Sequence, residues 1–277
     1  MANNTSARFE NASNVGFLFT GDNMNNSILG LDIGSRFVKM VFFENGKAVK
    51  KILDTAIFYK RFIYSEKKNL LLNFEKLGIE INKICATGYG RNNVNIKDSV
   101  LINELKAHVW GIFYQLKLEN FTLLDIGGQD IKIIKVTNGF IDDFVMNDKC
   151  AASTGRYVEN MAKLLEVDIS YLSKQTENPT NLNSTCAIFG ESEVIGKLAE
   201  GVKIENICAG INLTIAKRIT SLMGDIFIPP LVVTGGAALN NGIIFFINEL
   251  LKINAILPEE PQFNGAIGCI NYYLKNR

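Results

Sequence analysis

The sequence predicts an α/β protein built from two similar halves, and three observations carry that prediction. The first is a near-repeat at a spacing of 93 residues: Asp32-Ile33-Gly34-Ser35 through Asn45-Gly46-Lys47, and Asp125-Ile126-Gly127-Gly128 through Asn138-Gly139-Phe140. Both copies carry Asp at the start, Gly at +2, Lys at +7 (Lys39, Lys132) and Asn-Gly at +13 and +14. The second is that each Asp closes an apolar run, Ile28–Leu31 and Phe121–Leu124, and that helical patterns come later in each copy. The third is size: 277 residues, 47% hydrophobic and 21% charged, supply enough apolar material for two cores and exclude global disorder.

Each repeat reads as strand, glycine turn, strand, Asn-Gly hairpin, strand. Five matched positions are hard to obtain by chance, so the pair is read as a true duplication. Residues 1–27, rich in Asn and Ser, are read as a mobile tail. After the first repeat, 98–118 carries Val100, Leu101, Leu105, Val109, Ile112, Phe113 and Leu116 at close to helical period. After the second, 156–166, 191–201 and 205–223 are helical in pattern, and Leu231–Thr234 is a short strand entering Gly235-Gly236. The expected domains are a first half over 28–118, completed by a C-terminal helix at about 262–277, and a second half over 119–261, with a cleft between them.

Charge and cysteine content narrow the classes. Lys plus Arg is 29 and Asp plus Glu 28, a net charge of +1, so no large field favours nucleic acid or an anionic membrane. No segment is apolar for the roughly 18 residues of a membrane span. Five Cys, an odd number, do not make a disulfide framework, and a reducing, cytoplasmic setting is the expectation.

A glycine turn after a strand brings backbone N–H groups up to phosphate oxygens with no Cβ in the way. Two such turns at matching positions point to a nucleotide site: Asp32 and Asp125 bracket the phosphates and hold a hydrated Mg2+, which favours carboxylates and water. Ser35, Gly127, Gly128 and Gln129 are placed for phosphate contacts or for orienting the attacking water, Lys39 for neutralising charge, and Gly235-Gly236 for a flat adenosine. Ordinary hairpin turns are the plain alternative, weakened by the register between the two copies. Lys132 is read as a lysine on an edge or solvent face.

Cys150 and Cys186 each stand just before a helical pattern, where the dipole and unpaired N–H groups favour a thiolate. Two thiolates from each chain of a twofold dimer make four, which suits a 4Fe–4S cluster on the axis. Zinc is the competing metal, and buried or free thiols remain the alternative to any ligand role, since no C-x-x-C is present. Cys85, Cys208 and Cys269 lie in apolar surroundings and are read as core.

With these residues in view, the chain resembles the activator (ATPase) component of 2-hydroxyacyl-CoA dehydratases, in the group that also contains the ATPase subunits of benzoyl-CoA reductase. The matching pieces are Leu31-Asp32-Ile33-Gly34-Ser35, Ala86-Thr87-Gly88-Tyr89-Gly90-Arg91, Asp125 through Asp130, Asn147 through Ala152, Ser184-Thr185-Cys186, Glu191 through Ile195, Thr234-Gly235-Gly236 and Gln262 through Ala266. They span residues 28 to about 272 in order. The resemblance implies a duplicated actin/Hsp70-like (ribonuclease H-like) ATPase fold, a homodimer, ATP/ADP with Mg2+, and one 4Fe–4S cluster per dimer held through Cys150 and Cys186. With the carboxylates read above, the expected catalytic residues are Asp32, Asp125 and Gln129. The resemblance implies nucleotide contacts from Gly34, Ser35, Arg36, Phe37, Val38, Lys39, Gly127, Gly128 and Asp130, with Thr234, Gly235, Gly236 and Gln262 at the adenosine end. His108, the one histidine, falls in a segment similar to a family helix, where a structural or cluster-adjacent role is expected.

The implied partners are a ferredoxin or flavodoxin as electron donor and a 2-hydroxyacyl-CoA dehydratase, or a benzoyl-CoA reductase or other low-potential iron–sulfur reductase, as client. One departure is Ser153, where the family pattern has Gly, beside the expected cluster; Gly190 in place of Ala is milder. A small-molecule kinase of the same fold, and a nucleotide-binding scaffold without turnover, are the readings from other classes.

Overall fold

A computed structural model of the chain describes residues 28–44, 47–66, 69–73, 76, 81, 83–92, 99–147, 154–183 and 187–276. The expected tail, the Asn45-Gly46 turn, Cys150, Ser153 and Cys186 fall outside these described residues. Residues up to Lys117 together with those from Phe263 onward form one compact unit, and Leu118–Gln262 form the second.

In the first unit, β1 (Ile28–Ile33), β2 (Phe37–Glu44) and β3 (Lys47–Asp54) are followed by α1 (Thr55–Phe62) and the small pair β4 (Ile63–Glu66) and β5 (Asn69–Leu72). Then come β6 (Lys83–Thr87), β7 (Ser99–Leu101) and α2 (Glu104–Gln115). The sheet order is β3-β2-β1-β6-β7, with β1 antiparallel to β2 and parallel to β6. Alternation along β1 sorts its side chains: Leu29, Leu31 and Ile33 join Val38, Met40, Phe42 and Phe58 in one core, while Ile28 packs on Phe263, Ala266, Ile267 and Ile270.

Those last three residues belong to the C-terminal helix of the unit. Helix α2 is shorter than the 98–118 expected from periodicity. Asn103 caps it, its Oδ1 accepting from the backbone N–H of Leu105 at 2.9 Å and of Lys106 at 3.4 Å, and Ser99–Leu101 pair with β6 instead.

In the second unit, β8 (Phe121–Ile126), β9 (Ile131–Thr137) and β10 (Phe140–Asn147) repeat the arrangement of β1–β3. The sheet order is β10-β9-β8-β11, with β11 (Leu231–Thr234) parallel to β8 just as β6 is parallel to β1. Asn138 and Gly139, with φ of +51° and +77°, turn β9 into β10 as an Asn-Gly hairpin should. The helices are α3 (Gly155–Leu164), α4 (Ile169–Leu172), α5 (Ala187–Ala199), α6 (Ile204–Met223) and α7 (Asn241–Leu251). Their apolar faces close over Leu124, Ile126, Ile131 and Ile133. A buried amide network ties them: Asn212 donates to the carbonyls of Leu172 and Gln175 at 2.9 and 3.0 Å, and Asn240 donates to Asn212 Oδ1 at 3.0 Å.

The chain returns to the first unit with α8 (Asn264–Lys275). It lies against α2 and β1 at backbone distance: a Cβ on Gly268 would sit 1.7 Å from Ala107 O, and one on Gly30 2.1 Å from Ala266 O. Asn264 donates to His108 O at 2.8 Å and Asn271 to Trp110 O at 2.9 Å. His108 is buried in α2, in line with a structural place for it.

Cys85, Cys208 and Cys269 are fully buried, as their apolar flanks suggested. Burial pushes the Cys208 thiol up to about 11 and raises Cys269 well above the ordinary range. Among the described residues, no helix is long and apolar enough to cross a membrane.

Candidate functional site

The first unit presents its candidate residues at the carboxyl end of β1. Asp32 is 3% exposed, and its direct cross-strand partner on β2 is Lys39. Lys39 Nζ lies 3.3 Å from Asp32 Oδ2. Between them the turn is pinned by Gly34 N–H donating to Phe37 O at 3.2 Å. Helix α1 braces this turn from outside: Thr55 Oγ1 donates to Gly34 O at 2.8 Å, and Thr55 N–H to Arg36 O at 3.1 Å.

Arg36 forms an ion pair with Asp54, the N-cap of α1, and stacks on Phe37. Burial raises the Asp54 carboxyl, but the N–H groups of Ile57 and Ala56 and the Arg36 guanidinium outweigh it and hold the group below its ordinary value. Gly34, Ser35, Arg36 and Phe37 are half-buried, whereas Val38 points into the core and offers only its backbone. Beside Asp32, on β6, stands Thr87, followed by Gly88.

The second unit repeats this pattern at the end of β8. Asp125 is 3% exposed and its cross-strand partner is Lys132. Lys132 corrects the sequence reading. Instead of lying on an edge or solvent face it is 2% exposed, on a strand with β8 on one side and β10 on the other and with its ammonium turned to carboxylates. Its Nζ lies 2.8 Å from Asp130 Oδ2 and 3.6 Å from Asp125 Oδ2. Gly127 N–H donates to Asp130 O at 2.9 Å and closes the turn, leaving Gln129 exposed at its tip.

Here the brace is the backbone of α3: Gly155 N–H donates to Gly127 O at 2.9 Å, and Arg156 N–H to Gly128 O at 3.0 Å. Thr234, opposite Asp125 on β11, donates from Oγ1 to Asp125 Oδ1 at 3.0 Å. Gly236 is exposed, and Gln262 lies beside it, its Nε2 3.5 Å from where a Gly236 Cβ would be.

A second tier of the duplication emerges from this. Thr87-Gly88 and Thr234-Gly235 occupy the same place, on the parallel neighbour of the Asp-bearing strand. Both glycines have left-handed φ, +91° and +92°, and a Cβ would lie 2.5 Å from Ile33 O in one and 2.3 Å from Ile126 O in the other. Only glycine fits at either position. Sequence reasoning singled out Thr234-Gly235 but gave Thr87 and Gly88 no role; the shared strand-Thr-Gly wording was the signal for them. For Lys132 the signal was its match to Lys39 in the repeat.

The carboxylates, with phosphate and water to complete a shell, are the donor chemistry that Mg2+ takes. Among the described residues no group of three or more His, Cys, Asp or Glu is placed to hold a metal by protein ligands alone. Cys150 and Cys186 lie outside the described residues, and the other three cysteines are enclosed in the cores.

Twice-used sheets, each closing on a buried Asp and a glycine turn, define an ATPase of the duplicated actin-like fold. The chain belongs to the BadF/BadG/BcrA/BcrD ATPase family, whose model matches residues 29–270. It is 40% identical over 252 residues to the 2-hydroxyisocaproyl-CoA dehydratase activator of Clostridioides difficile, covering 88% of this chain and 93% of that one. The structure of an activator of that name with bound ADPNP matches with a TM-score of 0.77 at 37% identity, over 90% of this chain and 95% of the other. The (R)-2-hydroxyglutaryl-CoA dehydratase activating ATPase of Acidaminococcus fermentans is 35% identical over 256 residues, 89% of this chain and 96% of that protein. MreB5 of Spiroplasma citri bound to AMPPNP shares the fold alone, with a TM-score of 0.52 at 12% identity over 91% of this chain and 98% of that one.

Proposed function

We propose that this ATPase is the activator of a 2-hydroxyacyl-CoA dehydratase, using ATP hydrolysis to drive one-electron transfer from a ferredoxin or flavodoxin to that client. The observation that carries the reading is the brace of the second phosphate turn. The first N–H groups of α3 hold the carbonyls of Gly127 and Gly128 at 2.9 and 3.0 Å, and α3 begins five residues after Cys150. A change in the turn on loss of the γ-phosphate therefore pulls directly on the helix that follows the cysteine.

In this reading Asp32 and Asp125 hold the shell of a hydrated Mg2+, and Gln129 orients the attacking water. Ser35 through Lys39 and Gly128 through Asp130 grip the phosphates by backbone N–H groups and Lys39, while Gly34 and Gly127, whose own N–H groups close the turns, let the phosphates approach. Thr234, Gly235, Gly236 and Gln262 receive the adenosine. Bound Mg2+ supplies charge stabilisation as water displaces ADP from the γ-phosphoryl group. Cys150 and Cys186 of two chains ligate one 4Fe–4S cluster; with Cys85, Cys208 and Cys269 enclosed in cores, they are the cysteines left for such a task. Bound there, the cluster supplies one-electron transfer. The acyl-CoA chemistry belongs to the client.

The test is anaerobic purification, with iron and sulfide measured against dimer concentration. About four irons per dimer, with Mg-ATP hydrolysis, is the expected result. Stoichiometric zinc, or no metal after anaerobic reconstitution, overturns the electron-transfer reading.

A further inference from the structure

We propose that Gly265, in the first turn of α8, is a positioning residue for Asp32: the carboxylate sits against the space its missing side chain leaves, and Gly265 thereby sets the aim of that carboxylate. The inference rests on the catalytic reading of Asp32 above and adds to it a residue with no assigned task.

The two repeated aspartates are held by different means. Asp125 and Thr234 are cross-strand partners on β8 and β11, and the Thr234 hydroxyl donates to Asp125 Oδ1 at 3.0 Å. Asp32 and Thr87 are cross-strand partners in the same way on β1 and β6. Here the hydroxyl turns elsewhere: Thr87 Oγ1 donates to Ile102 O at 3.1 Å. Glycines flank the Asp32 carboxylate instead. A Cβ on Gly88 would lie 2.7 Å from Asp32 Oδ1, and one on Gly265 3.1 Å from Oδ2 and 3.3 Å from Cγ. Lys39 Nζ adds a contact to Oδ2 at 3.3 Å. The carboxylate thus lies in a slot between the end of β6 and the start of α8, and steric fit takes the place of the hydroxyl.

The slot has little play. β1 is paired on both sides, to β2 and to β6. Helix α8 is tied to α2 by the side chains of Asn264 and Asn271, which donate to His108 O and Trp110 O. With both backbones fixed, the group that gives way to a methyl at position 265 is the carboxylate, by a few tenths of an ångström. Shifts of that size matter where a group must meet a reacting centre.

The experiment is a double-mutant cycle of Gly265→Ala with Asp32→Ala in the full chain, read in Mg-ATP hydrolysis and in thermal unfolding. Gly265→Ala should lower kcat about tenfold and leave KM for ATP within about threefold. In Asp32→Ala, itself slower by at least about 100-fold, Gly265→Ala should cost no more than about twofold further. Unfolding gives the second readout. Alanine is the better helix former, so Gly265→Ala should raise the unfolding midpoint by about 2 °C once Asp32 is truncated, and fail to raise it while the carboxylate is there. Equal losses of hydrolysis in both backgrounds, or the same change of midpoint in both, overturn the assignment. If Gly265→Ala does not fold alone, the double variant must, and failure of both overturns it too. Unchanged hydrolysis in Asp32→Ala sinks the catalytic reading of that carboxylate and the inference with it. Unchanged hydrolysis in Gly265→Ala, beside a large loss in Asp32→Ala, sinks the inference alone.

Discussion

The two units carry the same four-residue kernel and brace it differently. Each has a buried Asp at a strand end, a Lys across the hairpin, and a Thr-Gly step on the parallel neighbour. In the first unit the turn is held by the Thr55 hydroxyl on Gly34 O, the Thr55 N–H on Arg36 O and the pair of Arg36 with Asp54, the N-cap of α1. In the second it is held by the backbone N–H groups of α3, and its lysine is buried between two carboxylates. The first brace leans more on side chains, the second on backbone alone. A brace made by the first N–H groups of a helix ties the turn to a rigid rod, because those groups cannot shift without the helix. Both turns are tied to the start of a helix, by one N–H and a hydroxyl in the first copy and by two N–H groups in the second.

Substitution of the carboxylates is the strongest way to probe this comparison. Asp125→Asn and Asp32→Asn should each lower Mg-ATP hydrolysis, followed by phosphate release, by at least about 100-fold. A large loss in one alone would break the equivalence of the two grips.

The lysines should separate the units. Lys132→Ala strips the counter-charge from two carboxylates in a buried setting and should cost about 3 kcal/mol in denaturant unfolding, against about 1 kcal/mol for the half-buried Lys39→Ala. Equal costs would mean that the burial of Lys132 has no energetic consequence.

The glycines should reunite them. Gly88→Ala and Gly235→Ala each force a Cβ against a carbonyl at left-handed φ, and each should lose about 2 kcal/mol by the same measurement.

The smallest effect is the pH dependence that Cys208 contributes from the second unit's core. Below the ordinary thiol value of 9.0, Cys208 is neutral in both folded and unfolded chains and stability is unaffected. From there to about 11 only the unfolded chain ionises, so stability falls as pH rises. Cys208→Ala should lessen that fall in unfolding measured between these two pH values, leaving the part due to Cys269.

The strand scaffold was legible because a hairpin has a short, local grammar. An apolar run, an Asp-x-Gly and an Asn-Gly at fixed offsets fix β1–β2 and β8–β10 without knowledge of anything distant. The start of α2 was less so, since Val100 and Leu101 continue a helical period by accident while Asn103 offers a cap that overrides it. Lys132 was misread for a related reason. Its neighbours in sequence are apolar, but its ammonium reaches Asp125 on the neighbouring strand and Asp130 at the turn, and no local pattern encodes which strands meet or what covers them. Thr87 and Gly88 were quoted without a role because their partner motif lies 147 residues away, outside the compared repeat. The backbone brace from α3 could not be read at all, since N–H groups at a helix start carry no residue-type signature.

The close seating of α8 on β1 also has a consequence for synthesis. The second unit is one continuous stretch, complete as soon as Gln262 has left the ribosome. The first unit exposes Ile28 and Gly30 of an early strand until Ala266 and Ile270, translated almost last, arrive to cover them. The half made first is therefore finished second, and a nascent chain stalled or truncated before residue 263 would carry one mature sheet and one with an uncovered greasy face, a natural substrate for chaperones.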